Sequence, residues 1–409
     1  MNTNKKRLIA FFTPAAVVLL LVIGIVLNPV DSIKAAKEGL DIWSKILIPS
    51  LLPFIIGANL IVDLKVVDII GFIINPITKL IFNVSGRSAL VFVISTVSGY
   101  PVGAKLASEY RTRGEISKAE AQRLLSFCST SGPLFIIGSV GTGMFHNTAL
   151  GYLMILCHYL GTITVGVIYR NYGWEILKNE GHSLKENIIG VVHSEGKREN
   201  FFVLFGNAVF NGVNTLLGIG GFVIVFSVVF RIFSIYEVIQ VAAWIIHIPL
   251  GLLGVSMELC KAFISGLFEI TIGCNKISQV SGSSQEVQAI LASFLIGFSG
   301  LSILSQCCTF VSKTDVNIKH YVLCKFLHGL FAALFLFALY PTFGLAIQAG
   351  NFNVSGETIF QSAIWLKYMS YYSTILFITA STYGVTAIGK WEKTKYFIRT
   401  FGDRINGKY

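Results

Sequence analysis

Charge is what this sequence has least of. Only 13% of its 409 residues are Asp, Glu, Lys or Arg, and 54% are hydrophobic, whereas soluble domains are about a quarter charged. A soluble enzyme or regulatory domain is thereby excluded, and the composition fits a chain that crosses a membrane many times. Metal and redox patterns are missing as well. The seven cysteines, Cys128, Cys157, Cys260, Cys274, Cys307, Cys308 and Cys324, form no C-x-x-C pair and lie mostly within or beside apolar runs. They read as small buried hydrophobes, not as a disulfide framework or a zinc site. There is no G-x-S-x-G, no H-E-x-x-H and no G-x-x-x-x-G-K-[ST] phosphate loop, and Gly99-Tyr100-Pro101-Val102-Gly103-Ala104-Lys105 has the wrong spacing for one and carries a proline. The chain is therefore expected not to be an enzyme, not to hydrolyse ATP, and to need no cofactor and no metal.

What is present is a series of apolar runs. The first, from Leu8 to Leu27, follows Lys5, Lys6 and Arg7 and exceeds the roughly 7 to 15 residues of a signal-peptide core, so it reads as an uncleaved first span. Further runs at 41–62, 66–83, 89–107, 123–145 and 148–169 complete an N-terminal membrane half, 1–170, whose interrupted region is 41–145. A hydrophilic linker at 171–200 separates it from a C-terminal membrane half, 201–389, with runs at 201–230, 235–256, 258–274, 288–306, 321–347 and 361–388. A basic tail, 390–409, closes the chain. The net charge of +11 is read as positive-inside bias, which places the N-terminus, the linker and the tail on the cytoplasmic side, and not as a nucleic-acid footprint. The fold class expected is an all-α polytopic membrane protein of about 10–12 transmembrane or re-entrant helices in two repeat-like halves.

Within these runs stand helix-breaking residues that a lipid-facing helix could not tolerate, because each freed backbone group in hydrocarbon costs several kcal/mol. The first half has Pro49 and Pro53, then Ser98-Gly99-Tyr100-Pro101-Val102-Gly103, then Ser131-Gly132-Pro133 with Gly138, Gly141 and Gly143. The second has Asn207, Asn211, Gly212 and Asn214 with Gly218, Gly220 and Gly221, then Gly297, Ser299 and Gly300. Interrupted helices in both halves point to a secondary transporter, whose half-helix N-termini receive an anionic group. Ile94-Ser95-Thr96-Val97-Ser98-Gly99 also resembles Leu295-Ile296-Gly297-Phe298-Ser299-Gly300. The expected substrate-binding residues are Ser98, Gly99, Tyr100, Pro101, Ser131, Gly132, Pro133, Asn211, Ser299, Gly300 and Gln306.

Charged residues at membrane depth are functional candidates, since insertion costs roughly 2.5 to 3.5 kcal/mol each. Glu258 and Lys261 share a helix face and can neutralise each other; Glu269 has no such neighbour and is the candidate for coupling to a proton or cation. His146, His158, His247 and His328 lack metal-ligand spacing and read as interhelical hydrogen-bonders. Lys105 and Arg123 read as cytoplasmic-edge residues whose side chains snorkel to water.

The blocks Ser98-Gly99-Tyr100-Pro101-Val102-Gly103-Ala104-Lys105, Glu120 to Cys128, and Ser131-Gly132-Pro133-Leu134-Phe135, with Gly266-Leu267-Phe268-Glu269-Ile270-Thr271 and Gly273 further on, resemble the YlbJ (SpoVV) family of sporulation integral membrane proteins. The resemblance covers nearly the whole chain. It implies membership of the nucleoside-recognition or Gate-domain group, a fold similar to concentrative nucleoside transporters, and a place in the mother-cell or outer forespore membrane of an endospore-forming bacterium. It also implies transport of dipicolinic acid, a small aromatic dicarboxylate, from the mother cell toward the spore. The alternatives are nucleoside-type transport and a non-transporting spore-membrane scaffold. The partners expected are a small organic anion, the lipid bilayer, and a second copy or other spore-membrane proteins, with no nucleic acid.

Overall fold

In hydrocarbon a peptide group can bond only to protein, so an apolar chain of this kind must be helical wherever it meets lipid. The computed structural model describes residues 3–64, 66–173 and 200–348, and every regular element among them is a helix. Most of the linker, the apolar run at 361–388 and the basic tail lie outside the described residues. In chain order the helices are α1 Thr3–Leu27, α2 Pro29–Ile42, α3 Ile48–Asp63, α4 Val66–Phe82, α5 Gly86–Ser98, α6 Val102–Thr112, α7 Lys118–Phe127 and α8 Thr148–Tyr169, followed by α9 Phe201–Ile235, α10 Val238–Gly251, α11 Met257–Phe268, α12 Ile270–Ser278, α13 Gln285–Phe298, α14 Gly300–Val311 and α15 Ile318–Gln348. Two π-helical stretches, Trp43–Leu47 and Phe135–Met144, adjoin α3 and precede α8.

Among the described residues, four helical stretches are long and apolar enough to cross a bilayer, and up to six if the bent pairs 15–47 and 74–98 each count as one crossing. Val18, Leu20 and Val26 of α1, Phe202 and Phe210 of α9 and Trp244 and Ile248 of α10 are exposed, surface that lipid would cover.

Two expected interruptions are absent. The Asn- and Gly-rich run after Phe201 is the unbroken α9, 35 residues long and so about 50 Å at 1.5 Å per residue. Its glycines serve packing instead: a Cβ on Gly220 would lie 2.6 Å from the Trp43 ring, whose indole nitrogen donates to the Leu216 carbonyl at 2.8 Å. At Pro49 and Pro53 the chain also stays helical, passing from the π turn Trp43–Leu47 into α3.

Four other interruptions are real, and they come in two kinds. After α5 and after α11 the chain doubles back. A Cβ on Gly103 would lie 2.7 Å from the Ser95 Cβ, and one on Gly266 would lie 3.1 Å from the Gly273 Cα, so residues either side of each tip touch. The tips are Gly99-Tyr100-Pro101, with Gly99 at φ 74° and a cis Tyr100–Pro101 peptide, and Glu269, which is extended between α11 and α12. After α7 and after α13, by contrast, the helix stops and resumes. Residues 128–132 leave helical form before the π stretch, and Ser299 and Gly300 take φ 75° and 65° between α13 and α14. A helical hairpin followed by an interrupted helix thus occurs once in each half.

Close backbone contact holds these parts together. A Cβ on Gly297 of α13 would lie 2.6 Å from the Gly329 Cα of α15, and one on Gly161 of α8 would lie 2.9 Å from the Ala332 nitrogen. These glycines let α15 lie directly on both α8 and α13. At one end of the bundle Arg111 of α6 grips Asp315, before α15, with two bonds of 2.8 and 3.0 Å, and the Gln122 amide bonds both backbone groups of Asn317.

Gly161→Leu should drive α15 off α8 and lower the thermal unfolding midpoint of detergent-purified protein, an overpacking cost of about 1–3 kcal/mol. The Arg111 hydrogen bonds hold the Asp315 carboxyl below its ordinary range, so its stabilisation is complete above the unfolded value near ~4 and disappears as pH falls through the lower folded value. Asp315→Asn should accordingly lower the unfolding midpoint slightly at pH 7 and leave it unchanged near pH ~2, below both values.

Candidate functional site

The two hairpin tips and the two interrupted helices converge. The first tip rests on the first break, since a Cβ on Gly99 would lie 2.9 Å from the Gly132 nitrogen; the second break rests on the second hairpin, since one on Gly300 would lie 3.0 Å from the Gly266 carbonyl. Only glycine permits both the positive φ and the approach at Gly99. The halves then join: Tyr100, Ala104 and Cys128 share one apolar cluster with Phe298, Leu304 and Cys307.

At this junction lies a polar cluster with almost no exposure: Ser129 2%, Thr130 0%, Ser131 0%, His158 1%, Lys325 1% and His328 1%. The first break contributes carbonyls and hydroxyls because residues 128–132 have no helical partners to bond. The Ser95 hydroxyl donates to the Cys128 carbonyl, and the Ser131 nitrogen donates to His158 Nε2 at 3.0 Å. From α15, Lys325 Nζ donates to the Ser129 carbonyl at 2.7 Å and approaches His328 Nδ1 at 3.4 Å. His328 Nε2 meets the His158 carbonyl at 2.9 Å, and the two imidazole centroids are 4.4 Å apart. The Ser129 hydroxyl bonds that of Tyr321 at 3.0 Å, and Lys325 Nζ stands 5.6 Å from the Tyr100 ring centroid.

The sequence-predicted residues divide cleanly by position. Gly99, Tyr100, Pro101, Ser131, Gly132, Ser299 and Gly300 lie at the junction, with Ser98 and Pro133 at its edges. Asn211 does not: it is exposed on unbroken α9. Gln306 is half-buried on α14, about 100° around the helix from Cys307, the residue that reaches Ser129. Lys261 and Glu258 are both exposed on α11. Arg123 does not reach out to water; it is 1% exposed and donates to the carbonyls of Asn83 at 3.0 Å and Tyr172 at 2.8 Å, just past the ends of α4 and α8. Lys325 was missed by sequence reasoning, and His158 and His328 were read only as interhelical bonders.

Glu269 sits at the second tip with both carboxylate oxygens engaged. One accepts the Ile272 nitrogen at 2.8 Å and the other the Thr271 hydroxyl at 3.1 Å, so the side chain caps the N-terminus of α12. The first turn of α12 is thus capped from within by a side chain at its own start. No group of three or more His, Cys, Asp or Glu residues suited to a metal occurs among the described residues.

All-helical, repeatedly membrane-crossing, and built so that irregular backbone from two hairpins and two interrupted helices meets inside the bundle, the molecule is a polytopic membrane protein with a buried polar centre. The sporulation integral membrane protein YlbJ of Bacillus subtilis (strain 168) is 35% identical to it over 351 residues, covering 83% of this chain and 84% of that protein. The chain belongs to that family. No family model matches it. Among solved structures, a double variant of CNTnw in an outward-facing state aligns with 80% of this chain and 86% of its own, with a TM-score of 0.49 and 13% identity.

Glu269→Ala should remove the α12 cap and cost about 0.5–2 kcal/mol, read as a lower unfolding midpoint. Glu269→Gln keeps an acceptor oxygen and should preserve most of that stability.

Proposed function

We propose that this protein is a sporulation membrane transporter that moves a small aromatic dicarboxylate, dipicolinic acid, from the mother cell across the outer forespore membrane. It works by alternating access, without catalysis and without a nucleotide or prosthetic group. The observation that carries transport is the repeated pairing of a helical hairpin with an interrupted helix, whose irregular segments meet at one buried point. Non-helical backbone at membrane depth is tolerated only where it is buried in protein or lines a cavity, and such segments in corresponding places of two halves mark the substrate site of many secondary transporters. Kinship to a sporulation protein of the membrane supports the setting. The dicarboxylate itself follows from the family resemblance in the sequence.

Mechanistically, the tip Gly99-Tyr100-Pro101 lies against the segment 128–132 by backbone contact, and behind it the Ser95 hydroxyl of α5 bonds the Cys128 carbonyl. Separation of the tip from the segment would uncover the polar cluster to one side. Separation of α12 from Gly300 would uncover it to the other. The Tyr100 ring supplies a stacking face for an aromatic acid.

Uptake of labelled dipicolinate into proteoliposomes containing the purified chain tests this, with a nucleoside as competitor. The expected result is saturable dipicolinate flux that the nucleoside leaves unaffected, and that Gly99→Leu abolishes while the protein stays folded. Flux of the nucleoside in place of the acid would overturn the substrate, and no flux of either from folded protein would overturn transport.

A further inference from the structure

Lys325 is a buried cation that the protein leaves without a counter-ion. Among the described residues no Asp or Glu pairs with it, and the thiols around it, Cys307, Cys128 and Cys324, are neutral groups. Its bonds go to a carbonyl and to an imidazole nitrogen, which leaves one of the three N–H groups of the ammonium uncommitted.

The hydrogen bonds also fix the two histidines. His328 Nε2 faces a carbonyl and so carries the proton, leaving Nδ1 as the acceptor from Lys325. His158 Nε2 accepts from the Ser131 nitrogen, so the proton of the neutral ring is on Nδ1. That N–H is buried and has no partner. The hydroxyls of Ser131 and Tyr100 face one another, yet neither completes a hydrogen bond of normal geometry. Each such buried group is unfavourable while it stays unpaired. The unmet groups are therefore an ammonium N–H, an imidazole N–H and two hydroxyls able to donate, with no unmatched carboxylate among them.

We propose that Lys325, His158, Ser131 and Tyr100 form the subsite for a carboxylate group of the transported molecule, with Lys325 as its counter-ion. This deepens the transport reading and rests on it for the identity of the ligand. One carboxylate oxygen takes the Lys325 ammonium and the other the hydroxyls of Ser131 and Tyr100, while the His158 N–H donates to a neighbouring acceptor on the same molecule. A neutral solute of the same shape would leave Lys325 unpaired in the interior, and that penalty is the source of selectivity.

The experiment is equilibrium binding of labelled pyridine-2,6-dicarboxylate to the detergent-purified full chain, with the uncharged pyridine-2,6-dicarboxamide as competitor. Wild-type protein should bind the diacid and ignore the diamide. Lys325→Met should bind the diacid at least about tenfold more weakly and lose the discrimination. Replacing a buried charge by an apolar side chain of similar volume is often neutral or stabilising, so this variant should fold; Ser131→Ala, which removes one hydroxyl, should weaken the diacid severalfold without disturbing the bundle. Undiminished binding by Lys325→Met, or equal binding of diamide and diacid by wild type, would overturn the subsite even if proteoliposome flux is confirmed. Lys325-dependent binding without flux would uphold the subsite and overturn transport.

Discussion

A peptide group freed from a helix inside a membrane has no water to turn to, and its partner must be another part of the protein. The irregular segments at the centre of this structure obey that constraint. The break at 128–132 is satisfied by Ser95, Lys325 and His158 from three different helices, and the tip at Glu269 by its own carboxylate. Because the partners come from far away in sequence, the break cannot form until α8 and α15 are in place. The glycine contacts that seat α15 on its neighbours are thus a condition for the site, even though none of these glycines belongs to it.

The two halves solve the same problem with opposite chemistry. At α12 the helix end is capped from within, the Glu269 side chain accepting from the Ile272 nitrogen. At the first break the carbonyls are met by donors, and the donors outnumber them: an ammonium and an imidazole remain with capacity to spare. The halves are alike in backbone plan and unlike in charge.

Part of this was legible in the sequence. Gly99 and Gly132, Ser299 and Gly300 could be picked out because clustered small residues and prolines inside an apolar run are poorly tolerated by a helix that faces lipid, but the likeness of 94–99 to 295–300 joins non-equivalent places, a hairpin tip in one half and an interrupted helix in the other. Asn211 and Pro53 carried the same signal and proved to lie in continuous helix. The difference is invisible locally: Gly220 accommodates a tryptophan from another part of the chain, and nothing adjacent to it in sequence says so. Lys325 carried a signal that went unread, a lone charge inside the apolar run 321–347, by the same reasoning that singled out Glu269. What the sequence could not show is which charge was already spent, because the cap on Glu269 and the spare N–H of Lys325 are properties of the three-dimensional arrangement.

The placement of Lys325 on α15, and not on either hairpin, has a mechanical consequence. Its helix is pinned by backbone contact to α8 and α13, while the hairpin tip that carries Tyr100 is joined to the break chiefly across Gly99 and Gly132. If the ammonium rode on the moving tip, a bound anion would travel with it, and separation of the tip would break the contacts to Ser131 and His158 together. In the transport cycle proposed above, with the cation on α15 and Tyr100 on the tip, an anion would keep its counter-ion through opening and lose only the hydroxyl and the ring, so that opening would cost the weaker contacts and spare the strongest one.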